Sequence, residues 1–296
     1  MLYIIGLGLN DERDLGERAR RIAQKAECYC ELYTSRWFGS IPNLQALIKN
    51  KIQLVNRAFL EEGSERFIES AKKRKIVLFV PGDPLAATTH INLMVEAKKR
   101  KIPVKIIHNS SIFSAIGETG LQLYKFGKTS TVPFSGQTDS VKNTVKQNKK
   151  AGLHTLLLLD LQSENSTYMH PEIGLQLLLH KKIISRKDKV VFASRLGKTS
   201  DIKYGTVSQL IQTKMDTPAV IIIPGKLHFA EKEFLELVEI KKKSQINIKK
   251  EITKRIPKVK VRRKIKKYTR KISKPVKRIT KKIRKVTKKK QKRRKK

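Results

Sequence analysis

The chain has 296 residues, 67 of them Lys or Arg against 25 Asp or Glu, for a formal net charge of +42. That length suggests about two domains, and no stretch reaches the ~18 consecutive apolar residues of a membrane span. Cys28 and Cys30 are the only cysteines; as a Cys-x-Cys pair on one strand they cannot close an ordinary disulfide, so a reducing, cytoplasmic setting is expected.

No second cysteine pair or nearby His completes a thiolate site, and no metal is expected. The charge is uneven. Residues 241–296 hold 31 basic residues and one acid, Glu251, a net of +30 that leaves +12 for residues 1–240. A moderately basic globular body therefore precedes a very basic tail.

Met1 to Leu9 is apolar but lacks a basic flank and a small-residue cleavage site, so it reads as a first strand rather than a signal peptide. It enters Gly6-Leu7-Gly8-Leu9-Asn10-Asp11, and helical spacing follows from Asp14 to Lys25. Short strands are predicted at 28–33 and 52–55, then a charged helix at 61–73. A strand at 76–80 runs through Pro81-Gly82-Asp83-Pro84 into a helix predicted to end at Lys99. A fifth strand at 104–107 leads through His108-Asn109-Ser110-Ser111 to a short helix from Ile112. Strands alternating with helices at these intervals imply a mostly parallel sheet.

Residues 135–150 are polar and read as a linker with an exposed helix. A second alternating set then covers 155–160, 172–183, 190–193, 207–211, 220–223 and 227–240. Four divisions are expected: an α/β domain at 1–128, the linker and helix at 129–150, a second α/β domain at 151–240, and the tail. In the tail Ile265, Ile272, Ile279 and Val286 recur every seven residues, a helical stripe within a field of Lys and Arg. Like-charge repulsion opposes that helix until a polyanion neutralises it.

Two turns invite a functional reading. Gly6-Leu7-Gly8 is half of a dinucleotide fingerprint, but Asp11 stands where the third glycine belongs. It serves either as a glycine-permitted turn or as a wall, through Leu9, for a nucleoside. Asp83-Pro84 is a good helix start, with Asp at the N-cap and Pro at the first helical position. Its carboxylate also suits a ligand with a cationic end or ribose hydroxyls, and disfavours phosphates. The histidines form no Ser-His-Asp, paired-carboxylate or metal-ligand spacing. His108 and His154 lie at strand edges and His90 inside a predicted helix, while His228 follows a strand-end turn, Pro224-Gly225-Lys226-Leu227.

Several stretches, taken in order, resemble the diphthine synthases of the tetrapyrrole-methylase-like, class III S-adenosylmethionine methyltransferases. They are Tyr3 to Leu9, Glu31-Leu32-Tyr33-Thr34-Ser35, Gly82-Asp83-Pro84-Leu85-Ala86-Ala87-Thr88-Thr89-His90 and His108 to Ile112. Further on come Gly120 to Gly127, Pro133-Phe134, Gly152-Leu153-His154 with Leu159-Asp160, and Pro224 to His228.

The resemblance covers 1–240 and implies two α/β domains of the tetrapyrrole methylase fold, a cofactor cleft between them and a homodimer. It implies S-adenosylmethionine as cofactor, whose ammonium, sulfonium and ribose diol suit an acidic corner. It also implies methylation of the amino group of 2-(3-amino-3-carboxypropyl)histidine on translation elongation factor 2. Carried over by position, the cofactor contacts fall on Leu9, Asp83, Ala86, Ser111, Ile112, Leu161, Tyr204 and His228. A small residue is common at the position of Tyr204, so its contact is expected through the backbone. His228 is the one candidate for a general base.

Two departures stand out: the segment after Phe134 lacks expected aromatics, and the tail has no counterpart. Two other functions stay open, methylation of a tetrapyrrole and nucleic-acid binding through the tail. The tail could also tether an enzyme to RNA or the ribosome.

Overall fold

The computed structural model describes residues 1–162 and 167–240; residues 1–240 form one compact unit. The expectations for 241–296 lie outside the described residues. Two five-stranded sheets organise the body.

The first is wholly parallel, in the order β3-β2-β4-β1-β5. It contains β1 (Leu2–Gly6), β2 (Glu27–Glu31), β3 (Ile52–Val55), β4 (Ile76–Val80) and β5 (Val104–Ile107). β1 and β4 are buried at every residue, as central parallel strands covered on both faces require. The crossovers are α1 (Glu17–Ala23), α2 (Ile41–Ile48), α3 (Arg57–Glu61), α4 (Ser64–Lys73) and α5 (Ile91–Lys99). The short α6 (Ile112–Ala115) follows β5. The α2 helix was not predicted, although Ser40 caps it by accepting from Asn43 N at 3.2 Å and Pro42 occupies its first turn.

The second sheet, β11-β10-β12-β7-β6, is mixed rather than mostly parallel. β6 (Ser130–Val132) runs parallel to β7 (Thr155–Leu159). β10 (Lys189–Ser194), β11 (Asp201–Thr206) and β12 (Ala219–Ile223) join by antiparallel pairing. Between them a ribbon pairs β8 (Leu161–Gln162) with β9 (Thr167–Tyr168). The covering helices are α7 (Asp139–Lys150), α8 (Pro171–His180), α9 (Val207–Leu210) and α10 (Phe229–Leu237).

The expected linker at 129–150 is instead part of this second layer. β6 is a sheet strand, and α7 buries Val141, Thr144, Val145 and Asn148. Two valines at i and i+4, with a threonine and an asparagine between and beyond them, make a narrow stripe that is easily overlooked in a polar segment. Asn148 earns its burial by donating to Lys128 O at 2.8 Å and Thr155 Oγ1 at 3.1 Å.

A buried carboxylate joins the connector between the sheets to the last helix. Glu231, fully buried on α10, accepts from Gln122 N at 2.9 Å, His228 N at 2.7 Å, Lys125 Nζ and His154 Nε2 at 3.0 Å. Gly225 N donates to the other ring nitrogen of His154 at 2.8 Å, so the imidazole is neutral with its proton on Nε2. Burial pushes the Glu231 carboxyl up, but its four donors outweigh that and bring it from 4.5 to about 2. A depressed acid stabilises the fold above 4.5 and loses that contribution as pH falls toward 2. Glu231→Gln should therefore cost about 3 kcal/mol at pH 7. Denaturant unfolding should show the gap between variant and wild type closing as pH falls below 4.5.

Candidate active site

The C-terminal ends of β1, β4 and β5 are tied by backbone and by two side chains. Gly8 and Gly82 exchange hydrogen bonds, N–H to carbonyl at 3.1 and 2.9 Å, each with positive φ. A methyl group at Gly6 would stand 2.4 Å from the Gly82 oxygen, so the two turns approach only because β1 ends in glycine and residues 8 and 82, both at positive φ, are glycine as well. Asn109 Nδ2 donates to Gly6 O and Asp14 O, each at 3.0 Å.

Asp83 completes the knot. Its Oδ2 accepts from His108 Nδ1 at 2.8 Å and Asn109 N at 3.1 Å, and its Oδ1 from Leu85 N at 3.0 Å. The predicted N-cap role is thus replaced. The carboxylate faces back toward the β5 turn, and the helix starts only at Ile91. Residues 84–90 form a loop around the Pro84 oxygen, which accepts from Thr88 Oγ1 at 2.5 Å and lies 3.3 Å from His90 Nδ1. Ala87 in that loop has φ +59°.

A second buried acid shapes the neighbouring loop. Glu31, at the end of β2, accepts from Tyr33 N at 2.8 Å, Thr34 N at 3.1 Å and Thr34 Oγ1 at 2.5 Å. Burial outweighs these bonds and raises its carboxyl to about 7. His90, expected inside the helix, borders it instead; it is buried, its Nε2 is 3.8 Å from Glu31, and burial lowers its pKa.

These loops and the strand ends of the second sheet enclose a cavity of about 370 Å³. Leu9, Asp83, Ala86, Ser111, Ile112 and Leu161 all line it. Tyr33, Thr34, Ser35, Thr88 and Thr89 add hydroxyls, and Leu158, Leu159, Ala193, Leu196 and Val220 add apolar surface. Asp160 accepts from Phe134 N and Leu161 N, each at 2.9 Å. Arg57 and Arg195 complete the charged lining.

Tyr204 and His228 are not part of this lining. Tyr204 packs behind the wall, in a buried cluster with Ala193, Leu196 and Val220. Its backbone is engaged, donating to Val238 O at 3.2 Å and accepting from Ile240 N at 2.8 Å. His228 caps α10, with Ala230 N donating to its Nδ1 at 3.4 Å, and its exposed ring lies 4.2 Å from that of Phe229. The structure gives it no contact with the cavity as a general base. Sequence reading did not single out Arg57, Arg195 or Pro218. Asp160 entered that reading only through the Leu159-Asp160 stretch of the resemblance, and it directly follows four consecutive leucines, Leu156 to Leu159. The others come from the first turn of α3 and from loops flanking β10 and β12.

Among the described residues, no group of three or more His, Cys, Asp or Glu could hold a metal, and no helix is long and apolar enough to cross a membrane. Two α/β layers sharing one strand-end cleft define a class, and the family model of Tetrapyrrole (Corrin/Porphyrin) Methylases matches residues 1–211. A curated diphthine synthase from Methanocaldococcus jannaschii is 40% identical over 251 residues, covering 80% of this chain and 98% of the relative. A diphthine methyl ester synthase from Dictyostelium discoideum is 36% identical over 272 residues, covering 82% and 99%. A crystal structure of diphthine synthase superposes with a TM-score of 0.76 at 33% identity, covering 81% of this chain and 96% of that one. The chain belongs to the tetrapyrrole methylase family and, within it, to the diphthine synthases.

Asp83→Asn should loosen the knot, because an amide offers one acceptor where three donors converge. A stability loss of about 1–3 kcal/mol is expected, read as a lowered midpoint in thermal or denaturant unfolding. An unchanged midpoint would mean that the three contacts carry no net stability.

Proposed function

We propose that the protein transfers methyl groups from S-adenosylmethionine to the amino group of 2-(3-amino-3-carboxypropyl)histidine on translation elongation factor 2, in diphthamide biosynthesis. Kinship with the diphthine synthases supports this. The observation that carries it is the convergence of Leu9, Asp83, Ala86, Ser111, Ile112 and Leu161, from four separate segments, on one cavity. The enzyme would act in the cytoplasm as a homodimer, and exposed apolar side chains at Leu123, Tyr124 and Phe229 are compatible with a partner copy. Residues 1–128 and 129–240 then act as the two α/β halves.

The lining fits the cofactor. About 370 Å³ lies within the ~300–1,000 Å³ range of small-molecule sites. Its apolar walls suit an adenosine, and its anionic groups, Asp83 and Asp160, suit a ligand with cationic groups and no phosphate. Leu9, Ala86, Ser111, Ile112 and Leu161 would hold the nucleoside, beside the carboxylate of Asp83. When bound, the sulfonium supplies an electrophilic methyl group for in-line displacement.

The chain's own contribution is alignment and exclusion of water. Leu158, Leu159, Leu196 and Val220 keep the reacting end dry, while Thr34, Ser35, Thr88 and Thr89 offer hydroxyls to orient the amine. No His ring lines the cavity, and backbone donors already occupy Asp83 and Asp160. The amine proton therefore leaves to solvent.

Incubation with cofactor and pre-modified elongation factor 2 should add methyl masses to the modified histidine, measured by mass spectrometry. Factor lacking the aminocarboxypropyl group should stay unmethylated. No added mass on the pre-modified factor, under conditions where calorimetry detects cofactor binding, would sink the assignment.

The basic tail has a separate role, contact with RNA or the ribosome. With 31 basic residues against one acid, binding should run on counterion release with little sequence preference. If about eight charges engage single-stranded RNA, log affinity should fall against log salt with a slope near −6, from ~0.7 per phosphate. A chain ending at residue 240 should lose this binding and keep methyl transfer to free factor. Equal RNA affinity of the two chains would refute the tail's role.

A further inference from the structure

Four charged side chains line the cavity, and three of them are committed. Asp83 accepts three hydrogen bonds, Asp160 accepts two from backbone, and Arg195 pairs with Asp216 at 2.6 Å. Arg57 differs. Its nearest carboxylate oxygen is Glu61 Oε1, 3.7 Å from Nε. That oxygen already accepts from Thr89 Oγ1 at 2.9 Å. Among the described residues, no hydrogen bond engages the Arg57 guanidinium.

The group is nevertheless held. Asn56 accepts from Phe59 N at 2.9 Å and fixes the start of α3. The guanidinium carbon lies 5.2 Å from the centroid of the Tyr33 ring, a cation–π contact that uses up none of its N–H donors as hydrogen bonds. Tyr33 is itself positioned by the buried Glu31, through its backbone N–H. A guanidinium placed over an aromatic ring, with its N–H donors unclaimed among the described residues, can take a carboxylate bidentately.

On the functional reading above, two ligands bring carboxylates, the cofactor and the modified histidine. Arg57 contacts Tyr33 and stands beside Glu61 and Thr89, none of which is among the eight positions carried over for the cofactor. We propose that Arg57 receives the carboxylate of the aminocarboxypropyl side chain and so turns the neighbouring amine toward the methyl donor, making it a specificity-determining residue. The pairing also neutralises the one substrate anion that would compete as a methyl acceptor.

The test compares wild type, Arg57→Ala and Arg57→Lys as full chains, with pre-modified elongation factor 2 and saturating cofactor. Arg57→Ala should raise KM for the factor ten- to hundred-fold and lower kcat. Arg57→Lys should recover part of both, because it restores charge without the fork. Cofactor affinity by calorimetry should stay within about twofold, and the melting midpoint should hold, since the side chain is exposed. Unchanged KM in Arg57→Ala overturns the proposal. A loss confined to cofactor affinity also overturns it, by moving Arg57 to the cofactor's carboxylate. A wild type that leaves the factor unmethylated removes the functional reading together with this assignment; a methylating wild type with unchanged variants removes the assignment alone.

Discussion

The cleft depends on how closely two strand ends can approach. Gly8 and Gly82 exchange backbone hydrogen bonds where adjacent parallel strands leave the sheet. Both take positive φ, and a side chain at Gly6 would collide with the Gly82 oxygen. Because the backbones meet there, Asp83 reaches the β5 turn, and Asn109 reaches back to Gly6 and Asp14. Three consecutive strands of the sheet thus present one rigid rim. In open α/β sheets the carboxyl ends of the strands are where ligands collect, and here that rim is stitched without a helix N-terminus over the acidic turn.

Much of this was legible in the sequence. The buried strands at 76–80 and 220–223 announce themselves as continuous apolar runs, and the glycine turns mark where they stop. Six of the eight positions carried over by resemblance share the cavity. What escaped has physical causes. Asp83-Pro84 satisfies every local rule for a helix start, but a carboxylate with a histidine and a backbone N–H across the rim finds more donors there than in a first turn. The α7 stripe contains only two valines. β11 alternates Ile202 and Tyr204 with polar residues, between turns, and became visible only through its antiparallel partner, β10.

The buried acids divide the work of order. Glu231 is ionised far below the ordinary carboxylate range because four donors surround it, whereas Glu31 is raised to about 7 because burial outweighs three. The first fastens the second sheet's last helix to the connector. The second sets the Tyr33 and Thr34 backbone, which forms one wall of the cavity. Residues with no contact to a ligand therefore determine where the lining residues stand. Such dependence is absent from local sequence patterns, since the partners of Glu231 lie as far as 109 residues away.

That separation has a consequence for the order of assembly. Until the chain is complete through α10, the backbone N–H of Gln122, the ammonium of Lys125 and the Nε2 proton of His154 lack the carboxylate that receives them. The parallel sheet, complete by residue 107, can settle first. The connector must wait for the far end of the body. The last described residue takes part in this closure too, since Ile240 N donates to Tyr204 O. A chain cut after residue 240 keeps every one of these contacts, whereas one cut before α10 would strand a buried imidazole and a cation.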